Sequence, residues 1–160
     1  MGKNDLVYTV ILDGKVNVKI PEGFYDMEEQ YIKLKYPLEN RPQVIKCNED
    51  MRIDFKYSLM EIDTKESVLI YLIEEIKKAV LNSNSSFEKI DEYIYYDENN
   101  YPITGFSFSN EVLDGIAYNV IFLRQFQNYI INASMGCPYE NRERYMEYME
   151  ESIKTMKFLK

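Results

Sequence analysis

Residues 115–135, GIAYNVIFLRQFQNYIINASM, constrain the fold of this chain more than any other stretch. They read as two strands, Ile116–Leu123 and Asn128–Met135, joined by a short polar turn near Arg124–Gln127. Val120, Ile121, Phe122 and Leu123 are apolar at consecutive positions. Neighbouring strand side chains point to opposite faces, so such a run has to be covered from both sides. The pair is expected at the centre of a sheet, with the other hairpins extending that sheet and helices covering it.

Upstream, Leu6–Leu12 and Lys15–Ile20 flank Asp13-Gly14, whose residues suit the two positive-φ positions of a type I′ turn. Pro21-Glu22-Gly23 ends that hairpin, since proline has no donor and glycine invites a turn. Asp26 followed by Glu29 predicts a capped short helix with Met27, Tyr31 and Leu34 on one face. Its tail also fits an extended segment, because Ile32, Leu34 and Tyr36 alternate with Lys33 and Lys35 ahead of Pro37. A loop over Leu38–Pro42 follows. Val44–Asn48 and Met51–Met60 form a hairpin around Glu49-Asp50. Its second arm alternates Met51, Ile53, Phe55, Tyr57 and Leu59 with polar residues, which wets one face and places it toward the sheet edge.

Asp63 with Glu66 predicts the cap of the longest helix, whose stripe is Leu69, Leu72, Ile73, Ile76 and Val80; Asn82–Ser86 stops it. Phe87–Asp97 and Ile103–Asn110 are further strands, separated by Asp97-Glu98-Asn99-Asn100, and Leu113-Asp114-Gly115 turns into the central pair. Gly136-Cys137-Pro138 ends that pair, and Tyr139 to about Met156 is a last helix with Tyr145, Met149, Ile153 and Met156 at helical spacing. The expected fold class is α+β: an antiparallel sheet of about six to eight strands packed by helices on both faces, as a single domain over residues 1–160.

With KVNVKIPEGF near the start and SIKTMKF after Tyr145–Ile153 at the end, this order of elements resembles the PsbP/Mog-like superfamily. That group includes an extrinsic photosystem II protein, a Ran-binding nuclear import factor and bacterial proteins of unknown role. The resemblance implies an α/β/α sandwich and an association with binding more than with catalysis. It transfers no functional residue, because fold alone does not carry function.

Charge and composition bear on partners. Lys and Arg number 19 against 27 Asp and Glu, a formal charge of −8 spread along the chain. Nucleic acid is disfavoured, since the densest basic segment, Lys33–Lys35 with Lys46, is too thin to displace the counterions of a polyanion. The acidity suits a protein partner with a basic surface, or serves solubility alone. The apolar-rich run near the N-terminus is broken by Thr9, no cleavable leader follows, and no stretch approaches the ~20 apolar residues of a membrane span. Cys47 and Cys137 lie far apart and read as free thiols of a reducing compartment. The expectation is a bacterial, cytoplasmic protein that binds another protein, with a homodimer as an open alternative, joined through Met51–Met60 or the Met-rich last helix.

There is no histidine, which removes His-based acid/base chemistry and the usual catalytic zinc sites. No G-x-G-x-x-G or G-x-x-x-x-G-K occurs, and Asp97-Glu98-Asn99-Asn100 lacks the spacing of a calcium loop. No cofactor, metal or catalytic residue is expected. Three candidates remain. Cys137, beside a helix start, is either an activated thiol or a buried one. Asp91 with Glu92, or Glu150 with Glu151, would serve a carboxylate-based enzyme if the fold placed a pair across a cleft. Phe24, Tyr25, Tyr96, Tyr101 and Tyr139 sit at loop ends, where they either plug the sheet or form a partner-binding surface. An inhibitor or immunity-type protein acting on a basic partner is the sharpest reading these residues allow.

Overall fold

The computed structural model describes residues 5–37, 41–83, 88–97 and 99–159. In order they form β1 (Leu6–Ile11), β2 (Val16–Pro21), β3 (Tyr25–Asp26), α1 (Glu29–Lys35), β4 (Val44–Cys47), β5 (Asp54–Glu61) and α2 (Leu69–Ser83). There follow β6 (Glu88–Tyr96), β7 (Pro102–Val112), β8 (Gly115–Phe126), β9 (Tyr129–Pro138), a 3₁₀ turn (Tyr139–Asn141), α3 (Arg142–Thr155) and β10 (Lys157–Phe158). Part of the expected Leu38–Pro42 loop, most of the Asn82–Ser86 helix stop, Phe87 and Glu98 lie outside the described residues.

Seven strands form one antiparallel sheet in the order β3-β4-β5-β9-β8-β7-β6, so β8 and β9 are interior as their apolar run requires. One face carries Phe55, Tyr57, Val120, Phe122, Ala133 and Met135, all fully buried under Met149 and Ile153 of α3. The other buries Phe106, Phe108, Leu123 and Ile130 under Leu69 and Ile73 of α2. Each such Val, Leu, Ile, Phe or Met side chain contributes about 1.5–3 kcal/mol. The rings of Tyr93 and Tyr95 on β6 reach Phe122 on β8, with centroids 5.7 and 6.1 Å away, across the intervening β7. Gly105 makes that crossing possible: a Cβ there would come within 2.5 Å of both the Ile121 carbonyl oxygen and the Phe122 ring.

Several expectations are corrected. The N-terminal hairpin does not extend the main sheet. β1 and β2 join β10 in a separate three-stranded sheet, and Val16, Val18 and Ile20 of β2 cover the outer side of α3. The turn itself is as expected, with Asp13 at φ 56°, Gly14 at φ 82° and the Lys15 N–H donating to the Leu12 carbonyl at 3.1 Å. β5 is an interior strand, paired with β9 along its length and with β4 over Asp54–Tyr57, and Met146 and Met149 of α3 are buried. Asp26 does not cap α1; it sits in β3 and pairs with Lys46 at 2.9 Å. Ile32 and Tyr36, rather than Tyr31 and Leu34, pack on the Met27, Ile45 and Cys47 cluster. α2 begins at Leu69 and not at Asp63, because the segment before it is held by a different device.

That device is in β8. The expected polar turn at Arg124–Gln127 is strand through Phe126, and only Gln127-Asn128 turn, with Gln127 at φ 53°. Gln125 is buried. Its Nε2 donates to the Glu66 and Gln127 carbonyls, both at 2.9 Å, and its Oε1 accepts from the Val68 N–H at 3.3 Å, which ties down the approach to α2. Arg124, on the opposite face, donates to the carbonyls of Ile153 at 2.7 Å and Lys154 at 3.2 Å. A guanidinium at that position answers both the orphan carbonyls and the negative end of α3.

Candidate binding cleft at the open end of the sheet

α2 does not cover the whole of its face. At the end where β8 begins and β9 finishes, the register aligns Asp54 of β5 with Gly136 of β9 and Gly136 with Asn119 of β8, while Asn119 Nδ2 donates to Asn110 Oδ1 of β7 at 2.9 Å. These four residues floor a cleft of about 450 Å³. Lys35, Tyr36, Met51 and Lys56 wall one side, and Val112, Ile116 and Ala117 the other.

Asp54 is the centre of this polar set, with 1% of its side chain exposed. Its Oδ2 accepts from Lys35 Nζ at 2.8 Å and from the Tyr36 hydroxyl at 2.7 Å, and its Oδ1 lies 3.1 Å from Lys56 Nζ. Burial pushes the Asp54 carboxyl up, but the Lys56 and Lys35 ammoniums, with hydrogen bonds from Lys35 and Tyr36, outweigh it and hold the group below its ordinary value. Burial, then the charge of Asp54, pushes the Tyr36 phenol far up, so it stays a donor. Met51 holds φ 59°, a left-handed conformation that costs a residue with a Cβ on the order of 1–2 kcal/mol. The Lys35 ammonium on the Met51 carbonyl, at 3.0 Å, helps to fix it.

The rim is apolar and acidic. Leu113, in the two-residue turn between β7 and β8, is fully exposed, and Val112 and Ile116 beside it are exposed as well. Arg52 pairs with Asp114 at 3.5 Å across the mouth, and Glu140 stands exposed on the lip.

The five loop-end aromatics divide between the two ends of the sheet. Tyr25, exposed, donates to the Glu49 carbonyl at 3.2 Å, beside the β4–β5 loop at the open end. Phe24 is half-buried between Phe55 and Tyr145, with centroids at 5.7 and 6.4 Å, and half-buried Tyr139 carries the Arg142 guanidinium 3.9 Å from its ring centroid. Tyr96, exposed, and Tyr101, half-buried, lie at the opposite end, where β6 and β7 meet. The structure therefore brings three of the five toward one end and leaves two at the other.

Cys137 is buried, and burial followed by the charges of Asp54 and Glu140 pushes its thiol up to about 12, which corrects the activated-thiol reading. Cys47 is likewise buried, with its thiol pushed up by burial and by Asp54. The carboxylate pairs do not converge. Glu92 binds Lys77 at 3.0 Å while Asp91, its strand neighbour, faces the α3 side; Glu150 accepts from the Tyr95 hydroxyl and Glu151 from Lys19 at 2.8 Å. Among the described residues no group of three or more Cys, Asp or Glu is arranged to hold a metal ion. Among them, too, no helix is long and apolar enough to cross a membrane.

Sequence reasoning missed the cleft, although a signal was present. Asp, Asn and Gly are depleted from strand interiors, yet Asp54, Asn110, Asn119 and Gly136 all lie within strands and fall on one face of the sheet.

The architecture is that of the PsbP/Mog-like α+β sandwich. The chain is similar in structure to a cyanobacterial PsbP from Synechocystis, with a TM-score of 0.70 at 10% identity over 99% of this chain and 95% of that one. It is also similar to the Ran-binding protein Mog1p of Saccharomyces cerevisiae, at TM-score 0.61 and 12% identity over 95% and 94%. LpqN of Mycobacterium tuberculosis, a protein involved in cell envelope biogenesis, aligns at TM-score 0.60 and 10% identity over 97% and 92%. Likeness at such identities is a likeness of fold. No family model and no curated protein matches the chain.

Proposed function

We propose that this chain is a non-enzymatic protein-binding module of the bacterial cytoplasm that takes a basic partner on the open end of its main sheet. The observation that carries the reading is the apolar tip formed by Val112, Leu113 and Ile116, exposed beside a polar cleft. A contiguous apolar patch rimmed by polar groups is the usual mark of a protein contact. Carboxylates of Glu49, Asp50, Asp114 and Glu140 lie at the same end, so the rim matches the overall charge of −8 and complements a basic surface. Tyr25 lies at this end, and Phe24 and Tyr139 pack on the α3 side of the sheet, against Phe55, Tyr145 and Tyr118; Tyr96 and Tyr101 would meet only a partner that wraps to the far end. Neutralisation of a basic partner, as by an inhibitor or immunity protein, is the form of binding that these features favour. That Mog1p is a Ran-binding protein is in keeping with a binding role for the fold.

A carboxylate-based reaction finds no such support. Acid/base chemistry needs two groups whose environments push their pKa values apart, and Asp54 is instead held ionised between two ammoniums. The test is affinity capture by the tagged protein from lysate of its source cell, washed at low and then high salt, beside a Leu113→Asp variant. One basic protein, released by salt and lost with the variant, is the expected result. Capture unaffected by Leu113→Asp would reject this face, and no partner at low salt would reject the module reading, since charge-steered complexes are tightest there.

A further inference from the structure

Two edges bound the seven-stranded sheet. β3 is two residues long, whereas β6 spans nine and, among the described residues, pairs with β7 alone. A bulge between Lys89 and Asp91 interrupts its start, and the register is regular from Asp91 to Tyr96, a run without the proline or lysine that usually blunts an edge. The Asp97 N–H donates to the Tyr101 carbonyl at 2.9 Å, which makes those two a hydrogen-bonded pair of the hairpin. Such pairs alternate along an antiparallel ladder, so Tyr95 and Tyr93 bond inward to β7, while Ile94 and Tyr96 turn their backbone N–H and C=O groups outward. Pro102, opposite Tyr96, has no N–H to offer, in agreement with that alternation. The side chains of Ile94 and Tyr96 are exposed.

The two sides of this edge differ in character. On the α3 side, Asp91 shares a cleft of about 380 Å³ with Glu143, Glu147 and Glu150, which recur along α3 at helical spacing. Arg142 also lines it, with its guanidinium engaged on the ring and the carbonyl of Tyr139, and Lys154 meets Glu150 at 3.6 Å at the end of the stripe. Four carboxylates against one guanidinium and one ammonium leave this groove negative, and Asp91, Glu143 and Glu147 are exposed. On the α2 side, Glu92 is bound by Lys77 at 3.0 Å, and Ile94 follows as an exposed apolar group with Tyr96 beyond it.

We propose that β6 accepts an extended segment of a partner polypeptide as an added antiparallel strand, in which basic residues alternate with apolar ones. Basic side chains would lie over Asp91 and the α3 carboxylates, and apolar ones beside Ile94 and Tyr96, because alternate residues of a strand face opposite sides. The outward backbone groups of Ile94 and Tyr96 supply affinity that any strand could use, and the carboxylates supply the selection. A second copy of this chain is disfavoured, since it would set these carboxylates against their own like. Asp91, Glu150 and Tyr96, which the open-end face leaves unused, thereby acquire a role independent of that face.

The test is fluorescence anisotropy with three labelled peptides: Lys-Val-Lys-Val-Lys-Val, the same sequence N-methylated at its valines, and the same N-methylated at its lysines. All three carry the same charge, so attraction to an acidic protein cannot separate them. Opposite Ile94 and Tyr96 the valines point their N–H groups at β6, and the lysines point theirs at solvent. Methylation of the valines should therefore cost roughly tenfold or more in affinity, and methylation of the lysines much less. Glu147→Lys, at an exposed position, should weaken the parent peptide severalfold, with circular dichroism confirming the fold. No binding of the parent peptide, or equal binding of all three, would overturn strand addition, and an unchanged affinity for Glu147→Lys would overturn its selection by charge. A dimer in sedimentation that Ile94→Lys dissociates would give the edge to a second copy and overturn the proposal as well. Capture through the open end and peptide binding at β6 are separate measurements, so either reading can fail alone.

Discussion

The two ends of the seven-stranded sheet use their polar residues differently. At the end where β8 finishes, Gln125 is buried and spends its amide on the approach to α2, while Arg124 spends its guanidinium on the last carbonyls of α3. Those side chains are consumed by the fold. At the end where β8 begins, Asn119, Asn110 and Asp54 line a cleft, and Gly136 among them contributes no side chain at all. Nothing about strand composition separates the two ends, for both place polar residues within otherwise apolar strands. What separates them is how completely the helix termini take up those groups. At the far end the ends of α2 and α3 occupy both side chains; at the open end the close of α1 takes Asp54 through Lys35 and Tyr36, while Asn110 and Asn119 stay half-exposed in the cleft.

The comparison can be broken most forcefully at Asp54. Asp54→Ala leaves two ammoniums over a buried site without their carboxylate, and removal of one partner from a buried ion pair costs about 3–5 kcal/mol. Urea unfolding would show whether the open end is as structural as it is functional. A loss below about 1 kcal/mol would mean that water already replaces the carboxylate. Next in size is Gln125→Ala, which strips acceptors and donors from the entry to α2 and should cost about 1–3 kcal/mol. Hydrogen exchange would then speed up in the first turn of α2 before it does so in α3. Uniform acceleration would show that the anchor is not local.

The acid limb of the stability curve provides a gentler probe. Asp54 has a lower pKa folded than unfolded, so its contribution is present above the unfolded carboxylate value, about 4, and fades as pH falls through the lower folded value. Asp54→Asn should therefore flatten the fall in stability below about pH 4. An unchanged slope would assign the acid sensitivity to other carboxylates. Smallest of all is Leu113→Ser, expected to shift stability by no more than about 0.5 kcal/mol because the side chain touches solvent alone, whatever it does to partner binding. A larger loss would place Leu113 in the structural class with Gln125.

Sequence periodicity located most strands and both long helices, since the stripes Leu69–Val80 and Tyr145–Met156 and the alternation through Phe55 and Tyr57 report burial directly. It misplaced what depends on distant partners. The polar run Arg124–Gln127 looks like a turn until the two helix ends it serves are brought against it. The N-terminal hairpin looks like one more sheet strand pair until β10, only two residues long, claims the open side of β2. α1 was found but rotated, because the cluster that orients it, Met27 with Ile45 and Cys47, is assembled from separate segments. The cleft was missed for the same reason: its four floor residues come from four strands, whereas the aromatics singled out in sequence were conspicuous one at a time and come to lie at both ends.

Arg124 and Gln125 are adjacent, and adjacent residues of a strand face opposite ways. If β8 slipped by one position, an amide would arrive where α3 presents its carbonyls, and a cation would arrive beside the positive, N-terminal end of α2. The central strand thus carries a two-character checksum. Only the native alignment satisfies both helices at once, so misregistered sheets are rejected by charge as well as by packing, in a chain whose interior strands are apolar enough to tolerate sliding.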